Sequence, residues 1–167
     1  MKTVTRVPLL YLACLLLSPC AAASEKNQVV VDSASGLMWM KEDFSRIEGR
    51  FANSWDDAQA WAKKINQRHY GGFSDWYVPS IQEYRSINKN AEDRKKYRQQ
   101  FLEITTKHSW GTGPDGFWSR NSPSKHVGSY ISFKDGFATS GDKSGIKNAQ
   151  TGEIFGMSVR LVRKISK

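Results

Sequence analysis

Cysteine is nearly absent from this sequence. Its two residues, Cys14 and Cys20, both fall near the N-terminus, so the rest of the chain has no thiol for a disulfide, a thiolate metal site or a cysteine nucleophile. Long apolar runs are equally scarce. The run from Val7 to Leu17 is too short to cross a bilayer core of roughly 30 Å, which needs about 20 apolar residues, and no later stretch approaches it. The three histidines, His69, His108 and His126, stand singly, outside the His-x-x-x-His spacing that sets two ligands on one helical face. Asp115 and Asp142 lie in Gly-rich loops without the alternating acidic spacing of a strong calcium site, and turn chemistry accounts for both. No metal site and no cofactor are therefore expected. The Gly-x-Ser-x-Gly turn of many hydrolases is missing too. No catalytic residue is assigned, although a triad assembled in space needs no such motif.

What is present begins with Lys2 and Arg6, the apolar run, and then Ala21, Ala22 and Ala23. That is the order of a secretory signal over residues 1–23, cleaved before Ser24. Cys20 allows a lipoprotein reading, against which Pro19 stands where Gly, Ala or Ser is wanted. The expectation is an exported chain, periplasmic or extracellular, with no membrane-spanning segment. Residues 24–167 suit one domain and are too few for two.

Lys and Arg number 25 against 16 Asp and Glu, a net charge of +9, or +7 once Lys2 and Arg6 are removed with the leader. Excess positive charge favours polyanions. It also serves solubility.

Short β-branched and apolar runs, Gln28 to Asp32 and Leu37 to Met40, flank the turn-forming Ser33-Ala34-Ser35-Gly36 and predict two antiparallel strands. Ser54 to Asn66 predicts a helix, with Ser54 as its cap and Trp55, Ala58, Ala62 and Ile65 as an apolar stripe. A second, short helix starts at the Ser80-Ile81-Gln82-Glu83 capping box after Pro79, with Ile81, Tyr84 and Ile87 facing inward. Ala91 to about Thr105 predicts a third, on which Arg94, Lys95, Lys96 and Arg98 read first as a solvated face. From His108 onward the texture is of loops and strands. Strands are expected at Phe117-Trp118-Ser119, Ser129 to Phe133 and Met157 to Val162, the last alternating as a half-buried strand does. Lys134-Asp135-Gly136-Phe137 reads as a hairpin turn. The fold class is α+β, two to three helices packed on short antiparallel strands, with no disulfides.

Four segments carry a resemblance: Val31 to Trp39; Gly71-Gly72-Phe73-Ser74-Asp75-Trp76-Tyr77-Val78-Pro79-Ser80-Ile81-Gln82-Glu83-Tyr84; Phe117-Trp118-Ser119; and Val159-Arg160-Leu161-Val162-Arg163. In order and spacing the chain resembles the Lcl C-terminal domain family, named for its place at the end of a bacterial collagen-like adhesin. The resemblance implies a C-type lectin-like mixed domain, similar also to formylglycine-generating enzymes, whose termini meet in one sheet and whose ligands sit on a loop face. Formylglycine chemistry needs cysteines that residues 24–167 lack. The Glu-Pro-Asn, Gln-Pro-Asp and Trp-Asn-Asp runs of calcium-dependent sugar binding are absent as well. The naming adhesin's association with glycosaminoglycans agrees with the basic charge.

Within the matching segments Trp39, Asp75, Trp76, Pro79, Trp118, Arg160 and Arg163 read as structural. The tryptophans read as core, and Asp75 as the partner of Arg160 or Arg163 in an ion pair joining a loop to the terminal strand. Trp110 differs, lying between Ser109 and Gly111 in a polar loop, with Arg120, Lys125 and His126 following. An exposed indole beneath the C–H face of a sugar, beside cations that hold carboxylates or sulfates, is a common binding arrangement. The functional expectation is a non-catalytic binding module of the bacterial cell envelope for anionic polysaccharide or a similar surface polymer. A periplasmic protein-interaction or assembly factor is the alternative, with an envelope protein as partner, and an envelope-polymer hydrolase is a third reading. Nucleic acid is not expected as a partner.

Overall fold

The computed structural model describes residues 28–86, 116–132 and 137–165. The expected leader, the helix over 91–105 and the turn residues Lys134, Asp135 and Gly136 lie outside the described residues. Strand β1 (Val29–Asp32) pairs antiparallel with β2 (Leu37–Met40), Val30 opposite Trp39. The connection is tight because the Asp32 carboxylate accepts the Ser35 N–H at 3.3 Å and Gly36 takes the left-handed conformation, φ 69°.

Three helices follow among the described residues. Helix α1 (Phe44–Glu48) starts where Asp43 accepts the Arg46 N–H and ends at left-handed Gly49. Five residues are too few to show a helical period, which is why only its two caps mark it in the sequence. Helix α2 (Trp55–Gln67) begins with the Ser54 hydroxyl accepting the Asp57 N–H at 3.0 Å and buries Ala58, Trp61 and Ile65. Helix α3 (Ile81–Ser86) opens on a reciprocal capping box: Ser80 Oγ accepts the Glu83 N–H at 3.1 Å, while Glu83 Oε2 accepts the Ser80 N–H at 2.7 Å.

The remaining strands are β3 (Gly116–Trp118), β4 (Val127–Ile131), β5 (Ala138–Asp142), β6 (Met157–Ser158) and β7 (Val162–Lys164). They complete two sheets, ordered β1-β2-β7 and β5-β4-β3-β6. Both ends of the described chain thus meet on β2, where Trp39 stands opposite Val162. One pair departs from the antiparallel expectation: β6 runs parallel to β3, as it can because a long excursion separates them.

Period-two alternation divides the interior in two. Met40, Trp118, Val159 and Leu161 join Phe44, Trp61, Ile65, Trp76 and Met157 in one cluster. Their chain neighbours Trp39, Phe117 and Val162 join Leu37, Tyr84 and Ile131 in the other. The half-buried alternation expected of Met157 to Val162 does not occur, since all six residues are buried. The strand breaks after Ser158, and the carbonyls of Val159 and Leu161 accept N–H groups from Phe44 and Met40. Neighbouring chain covers this segment on every side, so its polar positions need partners too.

Those partners are internal. Asp43 and Arg160, exposed by only 2% and 1%, approach to 3.5 Å, and Ser158 Oγ donates to Asp43 at 3.0 Å. Burial draws the Arg160 guanidinium below its ordinary value, opposed chiefly by the Asp43 charge. Asp75 pairs with Arg163, which donates to both carboxylate oxygens at 2.6 and 3.1 Å and lies over the Phe73 ring.

A candidate ligand-binding face

The loop that joins β3 to β4 is built on Ser119 and Ser129. Ser119 donates through both its N–H and its hydroxyl to the Ser129 carbonyl, each at 2.9 Å, and Ser129 N–H donates to the Asn121 carbonyl at 2.9 Å. The loop base is a closed ring of hydrogen bonds. From it the chain carries Arg120, Lys125 and His126 outward, all exposed.

Arg120 is the most constrained of the three. Its N–H donates to the Pro79 carbonyl at 2.8 Å, its guanidinium lies 3.1 Å from Glu83 Oε2, and it covers the Tyr77 ring at 4.9 Å. Next to it Asn121 Oδ1 accepts the Ile81 N–H at 2.8 Å, joining the loop to the start of α3. Burial pushes the Glu83 carboxyl up, but hydrogen bonds from the Ser80 N–H, the Ser80 hydroxyl and Tyr77, with the Arg120 charge, more than offset it and hold Glu83 below the usual carboxylate range. Arg120 is therefore both a surface cation and the outer member of the α3 cap. Lys125 sits on the turn where the Ser122 hydroxyl donates to the Ser124 carbonyl at 2.8 Å.

Two further side chains join this face. The His126 carbonyl accepts the Lys143 N–H at 2.9 Å, and the Lys143 carbonyl accepts the Trp55 N–H at 2.8 Å. The Lys143 ammonium then lies over the Trp55 ring, 4.0 Å from its centroid. The indole N–H donates to the Ser119 carbonyl at 2.7 Å. Beneath the ring is Gly128, where an added Cβ would come within 2.4 Å of Trp55 Cδ1. Trp55, placed on the apolar stripe by its helical spacing, is instead only partly buried at the edge of the core. It is the first residue of α2, so its ring reaches the rim. Trp55 and Lys143 form a cation–π pair on this face; Trp110 lies outside the described residues.

The matching-segment residues sit elsewhere. Trp39, Trp76, Pro79 and Trp118 are buried, as are Arg160 and Arg163, while Asp75 is exposed on the far side of its ion pair. Among the described residues no three of His, Cys, Asp and Glu converge in a group that could hold a metal ion. Asp142 serves its own turn: Ser144 donates to its Oδ1 through hydroxyl and N–H, both at 2.7 Å. No described helix is long and apolar enough to cross a membrane.

The model of the Lcl C-terminal domain matches residues 28–163, from the first residue of β1's approach to the middle of β7. The chain belongs to the Lcl C-terminal domain family. The match spans both sheets and all three described helices of this Lcl C-terminal domain. Comparison with curated proteins gave no match.

Proposed function

We propose that this protein is an exported, non-catalytic binding module of the bacterial cell envelope that holds an anionic polysaccharide or similar surface polymer on the face formed by residues 119–126, Trp55 and Lys143. One observation carries the reading: exposed Arg120 and Lys125 share a loop with His126, whose carbonyl accepts the N–H of a lysine stacked on a partly exposed indole. Ammonium and guanidinium groups at this rim suit the carboxylates or sulfates of an anionic polysaccharide. The net charge, +7 once Lys2 and Arg6 leave with residues 1–23, supports it at longer range, and export rests on the pattern of residues 1–23.

The test is binding to sulfated, uronic and neutral polysaccharides at low and physiological salt. Selective binding to the charged polymers, weakened about two- to fivefold by Lys125→Ala, is the expected result. Absence of binding at either salt, or equal binding to neutral polymers, overturns it. Salt-insensitive capture of an envelope protein instead would assign the face to protein assembly.

A further inference from the structure

A strand at the end of a sheet turns a row of N–H and C=O groups outward, and the two sheets treat their ends differently. The β6 edge is met by a bridge from Ala52 to Met157 and the β7 edge by one from Tyr77 to Val162. At the start of β1 the turn after α2 comes close, the Gly71 N–H donating to Gln28 Oε1 at 3.2 Å. Strand β5 is the exception: among the described residues no strand pairs with its outer side. Its register with β4 runs one to one from Ala138 to Asp142, without a bulge. Ala138-Thr139-Ser140-Gly141 has no Lys, Arg or Pro, the residues that commonly keep strand edges apart. The Ser132 N–H donates to the Phe137 carbonyl and the Lys143 N–H to the His126 carbonyl, both at 2.9 Å. Alternation between those two bonds makes Tyr130 with Thr139 and Gly128 with Gly141 the hydrogen-bonded pairs. The N–H and C=O groups of Ala138 and Ser140 therefore point away from β4.

This edge is complementary to itself. About a two-fold axis at Thr139, Ala138 stands opposite Ser140 of a second copy and Ser140 opposite its Ala138, so that each outward N–H meets an outward C=O. The side chains fit the same axis. Phe137, Thr139 and Gly141 share one face by period two; Phe137 is 68% exposed and Thr139 is exposed. The axis sets the two Thr139 side chains against each other, a favourable cross-strand pair, and sets each Phe137 against Gly141 of the other copy. Gly141 has no side chain to obstruct the ring, and Ile146 Cδ1 stands where its Cβ would be, giving the ring an apolar flank. No like charges oppose each other in these pairs. We infer that β5 pairs antiparallel with β5 of a second copy, joining two four-stranded sheets into one across a two-fold axis at Thr139. An unrelated extended peptide would use the backbone bonds alone; a second copy adds Phe137 at Gly141 in both directions, as an isologous contact does. One strand pair is a small interface, so the dimer is reversible and depends on concentration.

The inference does not depend on the polysaccharide reading. Its test is sedimentation equilibrium of the full chain from about 1 μM to about 500 μM, a span that covers weak interfaces. The wild type should pass from monomer to dimer across it. Thr139→Lys and Thr139→Glu should each weaken dimerisation about tenfold or more, because like charges then meet at the axis, with thermal unfolding unchanged. Mixed in equal amounts, the two variants should dimerise at least as well as the wild type, since the axis then pairs opposite charges. Monomer at every concentration overturns the inference and leaves the polysaccharide reading standing. A dimer indifferent to either charge also overturns it, by placing the contact elsewhere, residues 1–27 included. So does a mixture that fails to restore what the single variants lose.

Discussion

Asp75 and Arg163 show how unequal the two ends of one ion pair can be. The carboxylate side chain is 58% exposed and the guanidinium 8%. The hydrogen bond from Arg163, ahead of the opposing effect of burial, holds the Asp75 carboxyl below the usual carboxylate range. A carboxyl that is more acidic in the folded chain contributes stability above its unfolded value of about 3.9, and that stability is lost as pH falls through the folded value. Asp75→Asn should therefore cost about 1 kcal/mol in urea unfolding at neutral pH, a modest figure because solvent screens the outer end. The gap between wild type and variant should close as the pH is lowered below about 4. Asp43 makes the contrast, since nothing screens its pair with Arg160. Asp43→Ala removes the carboxylate facing a buried guanidinium and the α1 cap together, and should destabilise by about 3 kcal/mol or more. Gly128→Ala is a steric case: its methyl would displace the Trp55 ring, at a cost of about 1 to 3 kcal/mol, with a shift in tryptophan fluorescence as the direct readout.

At the scale of elements, the capping box of α3 joins stability to the binding face. Glu83 accepts from Ser80 and Tyr77 and attracts Arg120. Glu83→Ala should lower stability by about 1 to 2 kcal/mol in thermal unfolding. It should also free Arg120, so that polyanion binding persists or strengthens while the fold weakens. The helices with local signals were legible from sequence. Ser54 and Ser80 cap α2 and α3, and Ala58 and Ile65 share the buried side of α2. Strand β5 was not legible, because Ala138-Thr139-Ser140-Gly141-Asp142 has no apolar alternation; its partner β4 supplies the pattern, residue by residue from Val127 with Asp142 to Ile131 with Ala138. Met157 to Val162 misled for the opposite cause. Alternation predicts one wet face, and here both faces are covered, with Arg160 held by Asp43 inside.

Over the whole molecule, charge and register act together. Arg120, Lys125 and His126 lie close in sequence and were legible as a group. Lys143 and Trp55 reach them only because the β4–β5 register sets Val127 against Asp142 and the start of α2 hydrogen-bonds to the next residue. No local pattern encodes such a meeting. If the face works through charge, raising ionic strength from low to physiological should weaken polyanion binding several-fold, as the screening length contracts to about 8 Å. Charge-independent packing at the face would leave the affinity flat across the same titration.

The last strand has a consequence in time. Strands β6 and β7 belong to different sheets, and β6 lies against β3 while β7 lies against β2. Residues 157–164 therefore latch both halves of the domain at once. Contacts of such sequence separation form slowly, and a chain emerging N-terminus first can make neither of them until residues 157–164 have been made. Until then β2 lacks β7 and β3 lacks β6, and this segment does not yet join the two halves.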